Sequence, residues 1–209
     1  LKSGDEVKDL SQYENHGVVN GNVIEWTKDG KFGGALTFDG SSYIEIPNSE
    51  SLDIKNEITL EVWFKTTQPQ KGKFMVMKGN AGATRNYFWG LYLTGQSANV
   101  SLYMVNPQQE VGFISTEGDF DNDEWYYLAG TFDGKVLKLY FNGELEIEKE
   151  WKNQIRTGDQ PACVGAWLAS KNCFAGSLDD VRISNIVRTD DEIANTFGKG
   201  YVFPVSPKG

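Results

Sequence analysis

The sequence has 209 residues, with 20 Lys and Arg against 29 Asp and Glu, so its formal net charge is −9. This acidic balance excludes a nucleic-acid-binding protein that works through a basic face, because phosphate affinity comes from clustered cations. No apolar run approaches the roughly 18 residues needed to span a bilayer, so membrane insertion is not expected. The single histidine, His16, argues against a Ser-His-Asp triad or a multi-histidine zinc site.

Short β-like runs, separated by turn signals about a dozen residues apart, follow one another along most of the chain, which is typical of a sandwich or a barrel. In residues 35–46 an alternating pattern surrounds a glycine turn, and residues 58–65 place their apolar side chains on one face. Asp133-Gly134 and Asn142-Gly143 are strong hairpin signals. The other predicted strands are 88–93, 99–105, 111–116, 125–132, 136–141, 144–151, 162–166 and 176–183.

A helical signal occurs near the C-terminus, where Thr189 and Glu192 form a capping box ahead of an apolar pattern. One short helix is predicted there. Because no Pro- or Ser-rich linker interrupts residues 10–197, the sequence predicts a single domain over 1–209, with a core over about 9–197 and a tail over 198–209.

Six phrases occur in a fixed order: DLSQYENHG (9–17), GKFGGALTFDG (30–40), ITLEVWF (58–64), EWYYLAGTFDG (124–134), LYFNG (139–143) and FAGSLDDVRI (174–183). This series resembles the LamG-like jelly-roll domains, or laminin G type 3 domains, of the concanavalin A-like lectin/glucanase superfamily. The resemblance implies two packed antiparallel sheets, one concave and one convex. It agrees with the strand pattern, and the predicted fold is an all-β, two-sheet antiparallel jelly-roll sandwich with one short C-terminal helix.

The N-terminus departs from this resemblance. Such domains usually open with an apolar strand just before the segment that begins at Asp9, but residues 1–7 have a poor strand pattern. The apolar segment 201–205 of the tail is a candidate to replace that strand, since Pro204 is tolerated at a sheet edge. We hypothesise that this tail pairs beside the strand that contains Asp179.

The resemblance also implies a structural calcium ion, because related jelly rolls often hold one. The matching positions are Asp179 and the Asp39-Gly40 turn. Calcium takes about six to eight oxygen ligands, which carboxylates and turn carbonyls supply. The alternative is that both aspartates only accept hydrogen bonds from turn amides.

Two further patterns bear on chemistry. Cys163 and Cys173 flank a loop between predicted strands and are predicted to form a disulfide, the alternative being two free thiols in a reduced compartment. The run ELEIEKE (144–150) has four Glu at period two, which puts them on one face. It lacks the Glu-x-Asp-x-x-Glu motif of the laminarinase-like hydrolases, which are sugar-cleaving members of the superfamily that the sequence resembles. A solvated edge strand is therefore predicted.

Sugar binding needs an aromatic platform with polar groups around it, because a pyranose ring presents an apolar C–H face and a rim of hydroxyls. Two segments, 84–89 and 166–172, fit this requirement. In the first, Arg85 and Asn86 are predicted on a rim, with Tyr87 or Trp89 facing the concave side. In the second, Trp167 and Asn172 lie in the loop between the cysteines. Trp63 and Trp125, in strongly patterned strands, are predicted to be structural.

These observations favour a non-catalytic carbohydrate-binding, lectin-like module of a larger secreted or surface protein, with oligo- or polysaccharide as its partner. A protein adhesion module that binds a cell-surface or extracellular protein is the alternative. A glycan hydrolase or lyase is disfavoured by the missing acid motif and the single histidine. The expected location is extracellular or at the cell surface.

Overall fold

The structure, a computed structural model, describes residues 1–66, 72–80, 86–94, 99–116, 121, 123–167 and 172–199, with the backbone only at positions 80, 86 and 87. It consists of short strands, a 3₁₀ turn at Glu50–Leu52 and a C-terminal helix. In chain order these are β1 (Glu6–Val7), β2 (Gly17–Asn20), β3 (Ile24–Gly30), β4 (Gly33–Asp39), β5 (Tyr43–Ile46), β6 (Ile58–Lys65), β7 (Lys73–Asn80), β8 (Asn86–Thr94), β9 (Asn99–Val105), β10 (Val111–Thr116), β11 (Tyr126–Phe132), β12 (Val136–Phe141), β13 (Glu144–Glu150), β14 (Ala162–Val164), β15 (Ala175–Ser184) and α1 (Asp190–Lys199).

These strands form two antiparallel sheets. One has eight strands in the order β1-β2-β5-β14-β7-β8-β9-β10, and the other has seven in the order β13-β12-β11-β6-β15-β4-β3. The predicted all-β, two-sheet jelly-roll sandwich with one helix near the C-terminus is therefore confirmed. Chain neighbours often lie in different sheets. For example, β4 belongs to the seven-stranded sheet and β5 to the eight-stranded sheet, although only three residues separate them.

The core lies between the two sheets. In the eight-stranded sheet, one row of residues that pair across neighbouring strands spans seven strands, and each of its side chains is buried in the core. Because side chains alternate between faces along a strand, this row fixes the inner face of the sheet and leaves its neighbours on the outer face. The row consists of Val19, Ile44, Val164, Val76, Leu91, Leu102 and Ile114.

The central strand β6 is buried on both faces, whereas its sequence predicts burial on one. The helix α1 explains the difference, because Ile193 and Phe197 pack over the outer face of the seven-stranded sheet around Trp63. The predicted capping box starts this helix. The Thr189 hydroxyl accepts from the Glu192 amide at 3.2 Å, and the Glu192 carboxylate accepts from the Thr189 amide at 2.8 Å. Within the described part of the chain, no helix is long and apolar enough to span a bilayer.

The edge strand β13 confirms one prediction and corrects another. It lies at the edge of the seven-stranded sheet, with its glutamates exposed. However, Glu146 is the extra residue of a bulge, since Leu139 pairs with Ile147 and Tyr140 pairs with Leu145. A one-residue irregularity moves the side chains that follow to the opposite face. Glu144 therefore faces the opposite side from Glu148 and Glu150, and the prediction that all four share one face is wrong.

The prediction for the tail stays a prediction, because residues 201–205 lie outside the described part of the chain. The strand β15, which contains Asp179, pairs with β4 at residues 175–178 and with β6 over most of its length. Near the N-terminus, Glu6 and Val7 form β1 and pair with β2, and the Leu1 ammonium donates to the Ile24 carbonyl at 2.7 Å.

Candidate functional site

On the outer face of the eight-stranded sheet, a second row of cross-strand partners lies one position along the strands from the core row. This row crosses all eight strands. Its members change from polar and aliphatic at the β1 edge to sulfur-containing and aromatic towards the β10 edge. In order, they are Glu6, Val18, Glu45, Cys163, Met77, Gly90, Tyr103 and Phe113.

Four aromatic rings form a continuous line over this face, which we call the aromatic strip: Trp167, Phe74, Tyr92 and Phe113. The centroids of Trp167 and Phe74 are 5.6 Å apart. Phe74 and Tyr92 are stacked at 4.4 Å with an interplanar angle of 10°, and Tyr92 lies 6.3 Å from Phe113. These separations are those of interacting aromatic pairs, so each ring limits the movement of the next.

A glycine lets the rings lie close to the sheet. A Cβ atom at Gly90 would come within 3.1 Å of the Phe74 ring and of the Met77 Cβ, so a side chain there would push its neighbours away by a few tenths of an ångström. Phe74 itself is buried. Tyr92 and Trp167 are half-buried, and Phe113 is 37% exposed. Phe74 therefore supports the strip, while the other three rings present surface to solvent.

Hydroxyl groups border the strip on one side. Tyr92 is paired with Ser101 across β8 and β9, and Ser101 is paired with Ser115 on β10. The hydroxyls of Thr94 and Ser101 are 3.0 Å apart, and the Ser101 hydroxyl donates to that of Ser115 at 2.9 Å. Burial raises the pKa of Tyr92 to about 12, so its phenol stays neutral at physiological pH. The strip thus combines apolar ring faces with uncharged polar groups.

The predicted sugar-binding residues have different outcomes. Trp167 belongs to the strip. Trp89 is 1% exposed and packs in the core between the sheets, so the prediction that it faces a ligand is wrong. Asn172 is exposed, with a φ of 59°. Asn86 and Tyr87 lie on β8, where only their backbone is described, and Arg85 lies outside the described residues.

Sequence reasoning missed Phe74, Tyr92 and Phe113. The alternation of β8 and β10 could have indicated the last two. Tyr92 and Phe113 directly adjoin the core residues Leu91 and Ile114 in their strands, so they face the opposite side of the sheet. Phe74 lies on β7, for which the sequence analysis predicted no strand. The structural role predicted for Trp63 and Trp125 is confirmed, since both pack in the cluster covered by α1.

The two cysteines lie beneath the strip but do not form the predicted disulfide. Both are buried free thiols in one hydrophobic cluster with Tyr43, Phe74 and Met77. Burial raises the pKa of Cys163 to about 12, and burial also raises the pKa of Cys173, so both are protonated thiols near neutral pH. In this structure they act as small apolar residues that support the strip.

The predicted calcium ligands are not brought together. Asp39 pairs with Ala175, and Asp179 lies four residues further along β15, which is about 13 Å in a strand. Each carboxylate already has donors: Asp39 accepts from the amide and hydroxyl of Ser41, and Asp179 accepts from the Phe32 amide at 3.0 Å. Burial raises the pKa of Asp179 despite this hydrogen bond.

Among the residues that the structure describes, no three His, Cys, Asp or Glu side chains are grouped so that they could hold a metal ion. By their spacing along β15, Asp39 and Asp179 are too far apart to share one calcium ion, and calcium binding itself stays a prediction.

The fold and this face define an all-β jelly-roll domain with a partly exposed aromatic surface. The family model described as the concanavalin A-like lectin/glucanases superfamily (Laminin_G_3) matches residues 38–194. The chain therefore belongs to this family, as its sequence motifs predicted. Among curated proteins it is similar to Pappalysin-1 from Mus musculus, with 23% identity over 156 residues. The match covers 68% of this chain and 10% of Pappalysin-1, so the chain spans only a small part of that relative.

Solved structures with the same fold include two that were determined with sugars. Domain 4 of AbnA, a GH43 extracellular arabinanase from Geobacillus stearothermophilus, was solved in complex with arabinotriose. It matches with a TM-score of 0.69 and 21% identity, over 93% of this chain and 97% of that one. The ligand binding domain of botulinum neurotoxin serotype D, in complex with N-acetylneuraminic acid, matches with a TM-score of 0.71 and 14% identity, over 94% and 49%.

Proposed function

We propose that this chain is a non-catalytic carbohydrate-binding module whose ligand face is the aromatic strip. The observation that carries the proposal is the line of rings on the outer face of the eight-stranded sheet, three of which present surface to solvent. Ring faces offer a flat apolar surface to the C–H face of a sugar, and the neighbouring hydroxyls of Thr94 and Ser115 can bond to the rim of sugar hydroxyls.

The comparisons support this proposal through the family and the sugar complexes of similar domains. Membership of a lectin/glucanase superfamily makes a glycan the first ligand class to test. The arabinanase domain with arabinotriose is similar to this chain over almost all of both chains. That relative is described as extracellular, which supports the proposal that this chain is a module of a larger secreted or surface protein.

A catalytic role is not proposed, because the candidate acids are in the wrong places. Retaining hydrolysis of a glycosidic bond needs two carboxyl groups about 5 to 5.5 Å apart in different environments. Glu148 and Glu150 are both exposed on an edge strand of the other sheet. The buried Glu61 lies under α1, where it accepts a 2.6 Å hydrogen bond from the Tyr127 hydroxyl and pairs with Arg188.

A glycan array followed by calorimetric titration of the best ligand tests the proposal. Trp167→Ala is expected to weaken binding about tenfold, the loss of an interfacial aromatic anchor of about 1.4 kcal/mol. Tyr13→Ala is a matched control, because Tyr13 is also an exposed aromatic residue but lies in the loop before β2. Binding that both variants retain in full would reject this face as the site.

A protein-binding role has one observation in its favour. Leu10 is 77% exposed in a loop that the Asp9 carboxylate orders by accepting from the amides of Ser11 and Asn15. An exposed apolar side chain on an ordered loop suits a contact with another protein. If the module binds an extracellular protein through this loop, Leu10→Asp should abolish capture of that protein and leave glycan binding unchanged.

Calcium remains a prediction from the family resemblance. Asp179 is the predicted ligand to test, since its carboxylate lies against Gly30 and the β3–β4 turn. The melting temperature of EDTA-treated protein should rise on addition of CaCl₂, and Asp179→Asn should remove the rise. An unchanged melting temperature together with no heat of titration would exclude calcium.

A further inference from the structure

The chemistry of the outer face limits the kind of glycan that it can take. Between β14 and β10, the outer row and the neighbouring positions Phe74, Tyr92, Ser101 and Ser115 carry no charged side chain. Charged residues enter the outer row only beyond Cys163, at Glu45 and Glu6, and both are acidic. A carboxylated sugar over these described positions would thus lose water without gaining a cation from any of them, which is unfavourable.

At the β10 end of the strip, an ammonium group that the described contacts place near Phe113 is bonded to the backbone. Lys149 lies on β13, and its Nζ donates to the carbonyl oxygen of Phe113 at 3.5 Å, so it is bonded to the backbone of β10 rather than set over the rings. The ring faces themselves are neutral. This arrangement suits an uncharged ligand.

The direction of the strip limits how the ligand can lie. Trp167 follows β14 closely in the chain, Phe74 and Tyr92 lie on β7 and β8, and Phe113 lies on β10, so the line of rings runs across the strands. β10 is the last strand of the sheet, and Phe113 is partly exposed on it. A chain bound along the strip can therefore continue past Phe113 into solvent.

From this geometry we infer that the strip binds an internal stretch of an uncharged, linear polysaccharide laid across β7, β8, β9 and β10, and not the charged terminal sugar of a branched glycan. The inference rests on the proposed carbohydrate-binding function and adds the substrate class and the binding mode. Successive sugars stack on successive rings, so affinity increases with chain length until the strip is filled.

The test uses linear arabino-, xylo- and cello-oligosaccharides, each from disaccharide to hexasaccharide, titrated into the full chain by calorimetry. The same sugars with reduced ends, sialyllactose and oligogalacturonates complete the panel. For at least one neutral series, affinity should rise about tenfold from disaccharide to tetrasaccharide, which is about 1.4 kcal/mol. Reduction of the chain end should leave the affinity of the hexasaccharide unchanged.

Phe113→Ala locates the end of the strip. Phe113 is partly exposed on an edge strand, so its replacement should leave the fold intact, which the far-UV spectrum checks. The variant should bind the hexasaccharide about tenfold more weakly than the parent does. Tyr13→Ala should not change this affinity.

The outcomes separate the inference from the proposed function. Equal affinity for disaccharide and hexasaccharide, loss of binding on reduction of the chain end, or preference for sialyllactose or oligogalacturonates would overturn the inference and leave carbohydrate binding standing. Binding to no sugar of the panel or of a glycan array would reject the proposed function itself, and the inference with it.

Discussion

The two sheets each carry an aromatic cluster on the outer face, but among the described elements a helix covers only one of these clusters. On the seven-stranded sheet, Trp63 and Tyr127 lie under α1, where Phe197 stacks on Trp63 at 5.4 Å with an interplanar angle of 13°. On the eight-stranded sheet, Tyr92 and Phe113 belong to a strip whose rings remain partly open to solvent. Aromatic content alone therefore does not distinguish a binding face from a packing face.

The polar groups of the two faces differ in the same way. Under α1, the buried Glu61 carboxylate accepts from the Tyr127 hydroxyl, and its other oxygen lies 3.4 Å from Nε of Arg188. Burial and the adjacent carboxylate raise the pKa of Tyr127 far above its ordinary value. Beside the strip, the polar groups are serine and threonine hydroxyls. The covered face uses paired charges for structure, and the open face keeps neutral groups that can exchange partners with a ligand.

The largest effect on stability is expected at the covered face. Glu61→Ala should lower the free energy of unfolding by about 3 kcal/mol, because it leaves the buried guanidinium of Arg188 and the Tyr127 hydroxyl without this acceptor. Urea denaturation followed by circular dichroism measures the loss. Glu146→Ala, at an exposed position on β13, should stay within about 0.5 kcal/mol of the parent. Equal stabilities for the two variants would contradict the role given to the pair.

A smaller loss is expected from the helix. Phe197→Ala should lower the free energy of unfolding by about 2 kcal/mol, since it removes a half-buried ring and its stack on Trp63. Tryptophan emission should shift to longer wavelength as Trp63 gains solvent. Asn195→Ala, at an exposed position of the same helix, is the control and should change neither signal. An unshifted spectrum for Phe197→Ala would mean that α1 does not shield Trp63.

Tyr92 and Tyr127 lie on the open and the covered face, respectively, and should respond differently to substitution. Tyr92→Ala should weaken binding of the best glycan about tenfold, because it opens a gap in the middle of the strip. Tyr127→Phe should leave that affinity unchanged while it destabilises the fold, since only the hydroxyl bonded to Glu61 is lost. Calorimetry and thermal denaturation of both variants measure the contrast. A reversed pattern would place the ligand on the other sheet.

The smallest effect is expected from pH at the start of α1. The hydrogen bond from Lys138, and then that from the Tyr140 hydroxyl, hold the pKa of Asp190 below its ordinary 3.8. A lowered folded-state pKa contributes stability above the unfolded value, and that contribution is lost as the pH falls through the folded pKa.

The Asp190 side chain is 58% exposed, so water screens the interaction and the contribution is small. Asp190→Asn should melt slightly below the parent near about pH 6 and together with it near about pH 2.5. Thermal denaturation at the two pH values measures both differences. A difference that grows in acid would contradict the assignment.

Much of the fold follows from local patterns. The strands Asn99–Val105, Val111–Thr116 and Val136–Phe141 have the predicted bounds, because their alternation is set by residues within each strand. The capping box of Thr189 and Glu192 is equally local. The bulge at Glu146 was not foreseen, since the register there depends on pairing with β12 rather than on period two.

The sequence by itself determined the two-sheet β architecture, the family, and the parity that puts Tyr92 and Phe113 on the face opposite to Leu91 and Ile114. The alternation of side chains along a strand predicts which of them share a face, but it does not predict what covers that face. Only the tertiary structure decided that α1 packs on the seven-stranded sheet, that Trp89 points into the core, and that Trp167 joins rings from three other strands. These are contacts between residues far apart in the chain, and no local pattern encodes them.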